Sequence, residues 1–410
     1  MAYSKLRLAV VAVLGLATLH IFLSWHSKDL MQVLVQRVYV HNNWLNATNV
    51  SYPSLATNES KISLINISSG FKRFIPEKNN FWNHRQHQMF QLLDRLILNG
   101  TSSYSPSSNC IEAGMGPEVL EAYSFSESHG DFLRYMNCKD YSQRIDQPDK
   151  CDGDTFLLLV IKSVAANFER RQAIRETWGK ESTVEGMKVR TVFLLGSASN
   201  VGDGPDLWRL LEFENRLYRD ILQWEFKDTL FNLTLKDYLF LKWATVHCPH
   251  VRYVFKGDDD VFVNTPVMVT YLKSLSDDIS SQLYVGQTIV NATPLRDKKS
   301  KYSIPKSFYD GAYPAYAGGG GFLYSGSLVR SLYKVSHYIP FFPIDDVFTG
   351  MCFMALKISL LHHSGFQTFD IEPKHRDNPC AHINLILVHQ RSPRQTALLW
   401  RALRSPDLKC

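Results

Sequence analysis

Six successive apolar residues, Phe156 to Ile161 (FLLLVI), constrain this chain more than any other segment. Side chains alternate across a strand, so a run without a polar position has no solvated face and needs cover on both sides. The next segment offers such cover. Asn167 stands where it can cap a helix through FERRQAIRETW, which Gly179 ends. A second buried run, Val189 to Leu195, stops at Gly196, and Ile221 to Phe226 reads as a third strand. Leu233 to Val246 sets Leu235, Leu239, Trp243 and Val246 on one helical face, and Val251 to Phe255 is a further strand. Strand and helix alternate, which predicts an α/β domain with a largely parallel sheet.

The N-terminus has a different character. Leu8 to Trp25 carries no formal charge over eighteen residues, preceded by Lys5 and Arg7. A helix of that length spans about 27 Å, close to one bilayer core. A cleaved signal peptide has a shorter apolar region, about 7–15 residues. The reading is therefore a cytoplasmic tail at 1–7 and a transmembrane signal-anchor at 8–25, with the rest of the chain lumenal. A Ser/Asn/Thr-rich stem follows at 26–75 and a catalytic domain at 76–410. Within that stretch the 81–98 segment has helical spacing. Sequons at Asn46, Asn49, Asn58, Asn66, Asn99, Asn232 and Asn291 agree with a lumenal location. Seven cysteines are too few for a disulfide scaffold, and the odd count leaves one thiol free or intermolecular. With a net charge of only +6, an anionic small molecule is a suitable substrate and no nucleic-acid partner is expected.

Three acidic or glycine-rich segments carry the chemistry. In YVFKGDDDVFVN, residues 253–264, a strand runs into three adjacent aspartates. Their repulsion is tolerated either in a solvated turn or around a hard divalent cation. In an extended backbone Asp258 and Asp260 point to the same side, and the carboxyl end of a strand in an open α/β sheet is where ligands bind. In YPAYAGGGGFLYSG, residues 313–326, the glycines mark either a close backbone approach to a ligand or strand, or a tight turn at a sheet edge. In FFPIDDVFTG, residues 341–350, Asp345 and Asp346 sit among apolar residues, where a carboxylate is costly unless used or paired. A partly desolvated aspartate is a candidate general base. Capping of a helix by Asp345 is the plainer account.

RRQAIRETWG at 170–179, FLLG at 193–196, NLTLK at 232–236, KGDDDVFVN at 256–264, YAGGGGFLYSG at 316–326 and PIDDVFTG together resemble the lumenal β-1,3-glycosyltransferases. IDQPDKC at 145–151, RDKK at 296–299 and LVHQR at 387–391 resemble the β-1,3-N-acetylglucosaminyltransferases more than the β-1,3-galactosyltransferases. The resemblance implies a glycosyltransferase-A-type, Rossmann-like mixed sheet behind a transmembrane helix and stem, in a type II protein of the Golgi membrane. It implies Mn²⁺ as cofactor. The inverting reaction it implies passes N-acetylglucosamine from UDP-GlcNAc to the 3-hydroxyl of a terminal β-galactose, extending poly-N-acetyllactosamine. UDP-galactose is the alternative donor, and a homo-oligomer is compatible with it. An inactive, glycan-binding relative would have broken acidic clusters, and these are intact.

The same resemblance distributes the roles. Asp260 and His389 fall on metal ligands, although a histidine after the apolar LILV also suits a structural role. Asp258, Asp259, Gly319 and Gly320 fall on the nucleotide side, Asp258 near the ribose. Asp346 falls on the catalytic base. Arg171, Arg175 and Lys236 are candidates for uridine or diphosphate, with surface ion pairs as the plainer reading. Tyr302 is a candidate for stacking on galactose, and Asp345 for a hydrogen bond to the acceptor.

Overall fold

A computed structural model describes residues 62–104, 127–197 and 206–410, all within a compact unit that starts at Ser60. The apolar segment 8–25, the sequons Asn46, Asn49 and Asn58, and Cys110 lie outside the described residues. Among the described residues no helix is long and apolar enough to cross a membrane.

The centre of the unit is a nine-stranded sheet. Its strands in chain order are β1 (Gln143–Ile145), β2 (Thr155–Lys162), β3 (Ser182–Val184), β4 (Met187–Ser197), β5 (Ile221–Lys227), β6 (Tyr253–Asp258), β7 (Tyr284–Gly286), β8 (Gly321–Ser325) and β9 (Leu361–His362). Across the sheet the order is β9, β7, β8, β6, β2, β4, β5, β1, with β3 added to β4. The central strands β5, β4, β2 and β6 are parallel, whereas β8 and β1 join antiparallel. The sheet is thus mixed, with a parallel middle and a short parallel pair, β7 and β9, at one edge. β2 is buried along its whole length. Leu158 and Val160 enter one core with Trp82, Phe240 and Phe342. Leu157, Leu159 and Ile161 enter the other with Trp178, Phe255 and Leu323. Each such side chain stabilises the fold by about 1.5–3 kcal/mol relative to exposure, which is why a strand this apolar takes the central position.

Three helices matter for the site: α1 (Phe168–Glu176), α2 (Leu233–His247) and α3 (Asp345–Ala355). The expected helix at 81–98 is present as Phe81–Leu98.

Residues 62–75 correct the expected stem boundary. Ile67, Phe71 and Ile75 are buried, and Ser68 donates its hydroxyl to the Met354 carbonyl at 2.8 Å. Phe71 lies in the short helix Ser69–Phe74, and Ile67 and Ile75 flank its two ends, an apolar pattern that the Ser/Asn-rich composition masks. Cys151–Cys248 and Cys380–Cys410 are disulfides, and Cys138 is disulfide-bonded as well. Among the described residues the free thiol is Cys352, buried on α3, where desolvation pushes it up and keeps it protonated.

Candidate active site

The site forms at the carboxyl ends of two neighbouring parallel strands. Lys162 ends β2, Asp258 ends β6, and the two are register partners. After the acidic turn the chain forms a two-residue strand, Phe262–Val263, antiparallel to Leu387–Val388. That pairing delivers His389 to the turn from 129 residues away, and the Arg391 amide locks it by donating to the Asp260 carbonyl at 2.7 Å. Lys162, Ser163, Asn167, Leu233, Lys236 and the three aspartates line an open cleft of about 180 Å³.

The aspartates alternate in direction, as an extended turn requires. Asp258 and Asp260 are half-buried and offer oxygens that lie, with a ring nitrogen of His389, within 4.8 Å of one another. The His389 Nδ1 lies 2.9 Å from the Thr368 carbonyl, a donor position that leaves Nε2 for the cleft, 3.2 Å from Asp260 Oδ1. The Asp260 hydrogen bond raises the basicity of His389. Asp260 is lowered, because His389 and Arg170 outweigh the opposing effect of burial. Two carboxylates and an imidazole converging from three directions form a donor set that suits a Mn²⁺-type cation. Asp259 points the other way. It accepts from Ser163 Oγ at 2.6 Å, Asn167 Nδ2 at 2.8 Å and Arg170 Nη1 at 2.9 Å. It therefore ties the turn to the β2–α1 connection while remaining part of the cleft wall. Asn167 gives its side chain to Asp259 and makes no capping bond to α1.

The glycine run explains how these groups can crowd. Gly321 pairs with Gly257, and the Gly320 carbonyl accepts the Asp258 amide. A Cβ on Gly320, whose φ is +97°, would stand 3.3 Å from the His389 ring. A Cβ on Gly319 would stand 2.9 Å from Asp346 Oδ2. The run is thus a close backbone approach inside the sheet, placing both glycines between the acidic turn and the acidic pair.

The acidic pair opens α3, with Ile344 in the cap position. Asp345 is the first helical residue, so it does not cap. Its Oδ2 lies 2.7 Å from Lys162 Nζ and 3.3 Å from Lys256 Nζ, and it is buried. This engagement corrects the expected acceptor contact. Lys256 also pairs with Asp237 of α2, and Lys162 with Asp258 at 3.0 Å. Two lysines here face four carboxylates, Asp237, Asp258, Asp345 and Asp346. The lysines hold Asp345 well below the ordinary carboxylate range despite its burial. Desolvation and the Asp345 charge push Asp346 up to about 7. Asp346 is half-buried, and among the described residues its carboxylate has no hydrogen-bond or ion-pair partner.

Other expected ligands of the nucleotide are engaged elsewhere. Arg171 is fully buried and bonds Glu214 through Nε and Nη2 at 2.8 and 2.7 Å. Arg175 is bidentate to Asp220 at 2.7 and 2.9 Å and also meets Glu214. Both lie on the inward face of α1, so their nucleotide assignment is corrected. Lys236 forms part of the cleft wall, but its buried ammonium is held by Asp228 at 2.8 Å and the Ser163 carbonyl at 2.7 Å. Tyr302 is exposed under the Lys301 ammonium, outside the residues lining the cleft. Sequence reasoning missed Arg170, Lys162, Lys256 and Asp237. Arg170 was the most recoverable, since it leaves α1 about 100° from Arg171 and so points away from the core face.

With this geometry in place, comparison with known proteins is informative. Residues 169–364 match the Galactosyltransferase family. The chain is 46% identical over 341 residues to mouse N-acetyllactosaminide β-1,3-N-acetylglucosaminyltransferase 2, covering 80% of this chain and 86% of that protein. The human protein of that name is 51% identical over 280 residues, 68% of this chain and 70% of its own length. Rat UDP-GlcNAc:βGal β-1,3-N-acetylglucosaminyltransferase 7 is 44% identical, covering 68% and 72%. A solved glycosyltransferase that acts in glycosylation of the PBCV-1 major capsid covers 59% of this chain and is itself covered to 98%, at TM-score 0.31 and 12% identity, a likeness too low to carry an argument. Identity at this level, spread over most of both chains, places the protein in the galactosyltransferase family.

Proposed function

We propose that the protein is an inverting β-1,3-N-acetylglucosaminyltransferase, moving N-acetylglucosamine from UDP-GlcNAc to the 3-hydroxyl of a terminal β-galactose and so extending poly-N-acetyllactosamine. The observation that carries this reading is Asp346. Among the described residues it is a carboxylate without a hydrogen-bond or ion-pair partner, raised toward neutrality and set beside an acidic cation site. An inverting transfer needs a base for the acceptor hydroxyl on the face opposite the leaving group, and Asp346 accepts that proton at its carboxylate. Asp258, Asp260 and His389 would hold Mn²⁺, which neutralises charge on a departing diphosphate when bound. Gly319 and Gly320 keep side chains out of the gap between the two groups, so a sugar ring can sit in line. No covalent enzyme intermediate is required.

The fold reading is glycosyltransferase-A-type, with the donor at the carboxyl ends of β2 and β6. The relatives named as N-acetylglucosaminyltransferases support the donor, and the family description keeps UDP-galactose as the alternative. We place the protein in the Golgi membrane with segment 8–25 as a type II anchor. The disulfides fit an oxidising lumen. The test is transfer by the purified protein from each radiolabelled donor, with Mn²⁺, to acceptors ending in β-galactose. Transfer of N-acetylglucosamine supports the proposal; strong galactose incorporation with none of N-acetylglucosamine sinks it.

A further inference from the structure

Two acidic clusters, one on the β6 turn and one on α3, approach each other across the end of β2. Both carry negative charge and would repel unless a cation stood between them. Among the described residues Lys162 is the one cation with ion pairs to both, at 3.0 Å to Asp258 Oδ1 and 2.7 Å to Asp345 Oδ2. Arg170 reaches only the turn, through Asp259 and Asp260, and Lys256 reaches only Asp345 and Asp237. The Lys162 side chain is 6% exposed, and its strand is fixed by the double register with β4 and β6. An ammonium held this tightly defines a position, and a buried ion pair is costly unless it orders its partners.

We propose that Lys162 is a positioning residue for the transfer, tying Asp258 of the turn to Asp345 and, through Asp345, holding the adjacent Asp346 in place and ionisable. The proposal rests on Asp346 as the base. The charged and titratable groups around Asp346 are Asp345 on its own helix, Lys162 on β2, Lys256 and Asp258 on β6, Asp237 on α2, and the hydroxyls of Tyr284 and Tyr316. Three of these are carboxylates, so the two lysines are what allows a further negative charge there. Removing the Lys162 charge leaves Asp345 with Lys256 alone and Asp258 without this ion pair, and ionising Asp346 becomes harder. Removing the Asp345 charge does the opposite. The two substitutions therefore shift the base in opposite directions, a pattern that loss of packing does not produce.

The experiment is the pH profile of kcat for the full-length protein and for Lys162→Met, Lys162→Arg and Asp345→Asn, with folding checked by thermal melting. The acid limb is expected to move up by on the order of one pH unit in Lys162→Met and down by a similar amount in Asp345→Asn, while Lys162→Arg keeps the limb and loses kcat. If Lys162→Met does not fold, the opposite behaviour of Asp345→Asn against Lys162→Arg decides. Limbs that coincide with the parent in all folded variants overturn the proposal. Asp346→Asn separates this from the functional reading: if it still transfers sugar, Asp346 is not the base, whereas an inactive Asp346→Asn alongside unmoved limbs removes only the role of Lys162.

Discussion

The turn at Asp258–Asp260 and the pair at Asp345–Asp346 are both runs of adjacent aspartates flanked by apolar residues, yet they separate their carboxylates by different rules. In the turn the backbone is extended and alternate residues share a side. Asp258 and Asp260 open toward His389, while Asp259 turns back onto Ser163, Asn167 and Arg170. On α3 neighbours diverge by about 100°. Asp345 goes inward to Lys162 and Lys256, and Asp346 is left half-buried over Gly319. Each run thus divides into one carboxylate tied back to the fold, Asp259 or Asp345, and the others that face the cleft or the glycine run. Residue type does not decide which; the local backbone period sets the directions, and the partners the fold brings there decide which carboxylate is held.

The largest test of that division is Asp346→Asn. Loss of a general base predicts a fall in kcat of about 10²–10⁴-fold with Mn²⁺-dependent UDP binding retained, measured by transfer rate and calorimetry together. Lost UDP binding would move Asp346 to the donor side and break the comparison. Next in size, Asp260→Asn or His389→Ala weakens Mn²⁺-dependent UDP binding by roughly 10²-fold or more, scaled from the effects of metal-site substitutions. Equal UDP affinity with and without Mn²⁺ in the parent protein would end the metal assignment. Gly319→Ala pushes a methyl against Asp346 Oδ2 and lowers kcat about tenfold without changing the melting temperature, a misplacement effect. Smallest on catalysis is Asp259→Asn, which costs about 2 kcal/mol of stability through weakened charged hydrogen bonds and appears as a melting temperature a few degrees lower.

A pH experiment sharpens the α3 half. Asp346 is raised in the fold, so its charged form, the proposed base, accumulates as pH passes about 7, and kcat is expected to rise with it. The linkage has the opposite sign for stability. A carboxyl with a raised native pKa binds its proton more tightly in the fold, and stability contributed by that proton is lost as pH rises from the unfolded value toward 7. Asp346→Asn should therefore melt at a higher temperature than the parent above pH 7 and show little difference at pH 4.

Much of this was legible in the chain itself. FLLLVI had to be a central strand, and the helix at 81–98 and the acidic turn at a strand's end followed from apolar period and turn chemistry. The burial of 62–75 is concealed by a Ser/Asn-rich composition, because its buried apolar residues Ile67, Phe71 and Ile75 stand four apart. Arg171 and Arg175 were correctly placed on one helical face, but periodicity cannot say which face is inward. That depended on Glu214 and Asp220, brought beneath α1 by α2-independent segments of the fold.

Local patterning determined the elements, because each strand or helix reads its own period and its own end signals. Tertiary structure alone decided the site. His389 meets Asp260 only because a two-residue strand pairs across 129 positions, and Lys162 meets Asp345 across 183. Which aspartate is held and which stays available depends on where those distant cations arrive. Charge interactions act through space and are strengthened where the fold excludes water, so they follow three-dimensional proximity and not order along the chain.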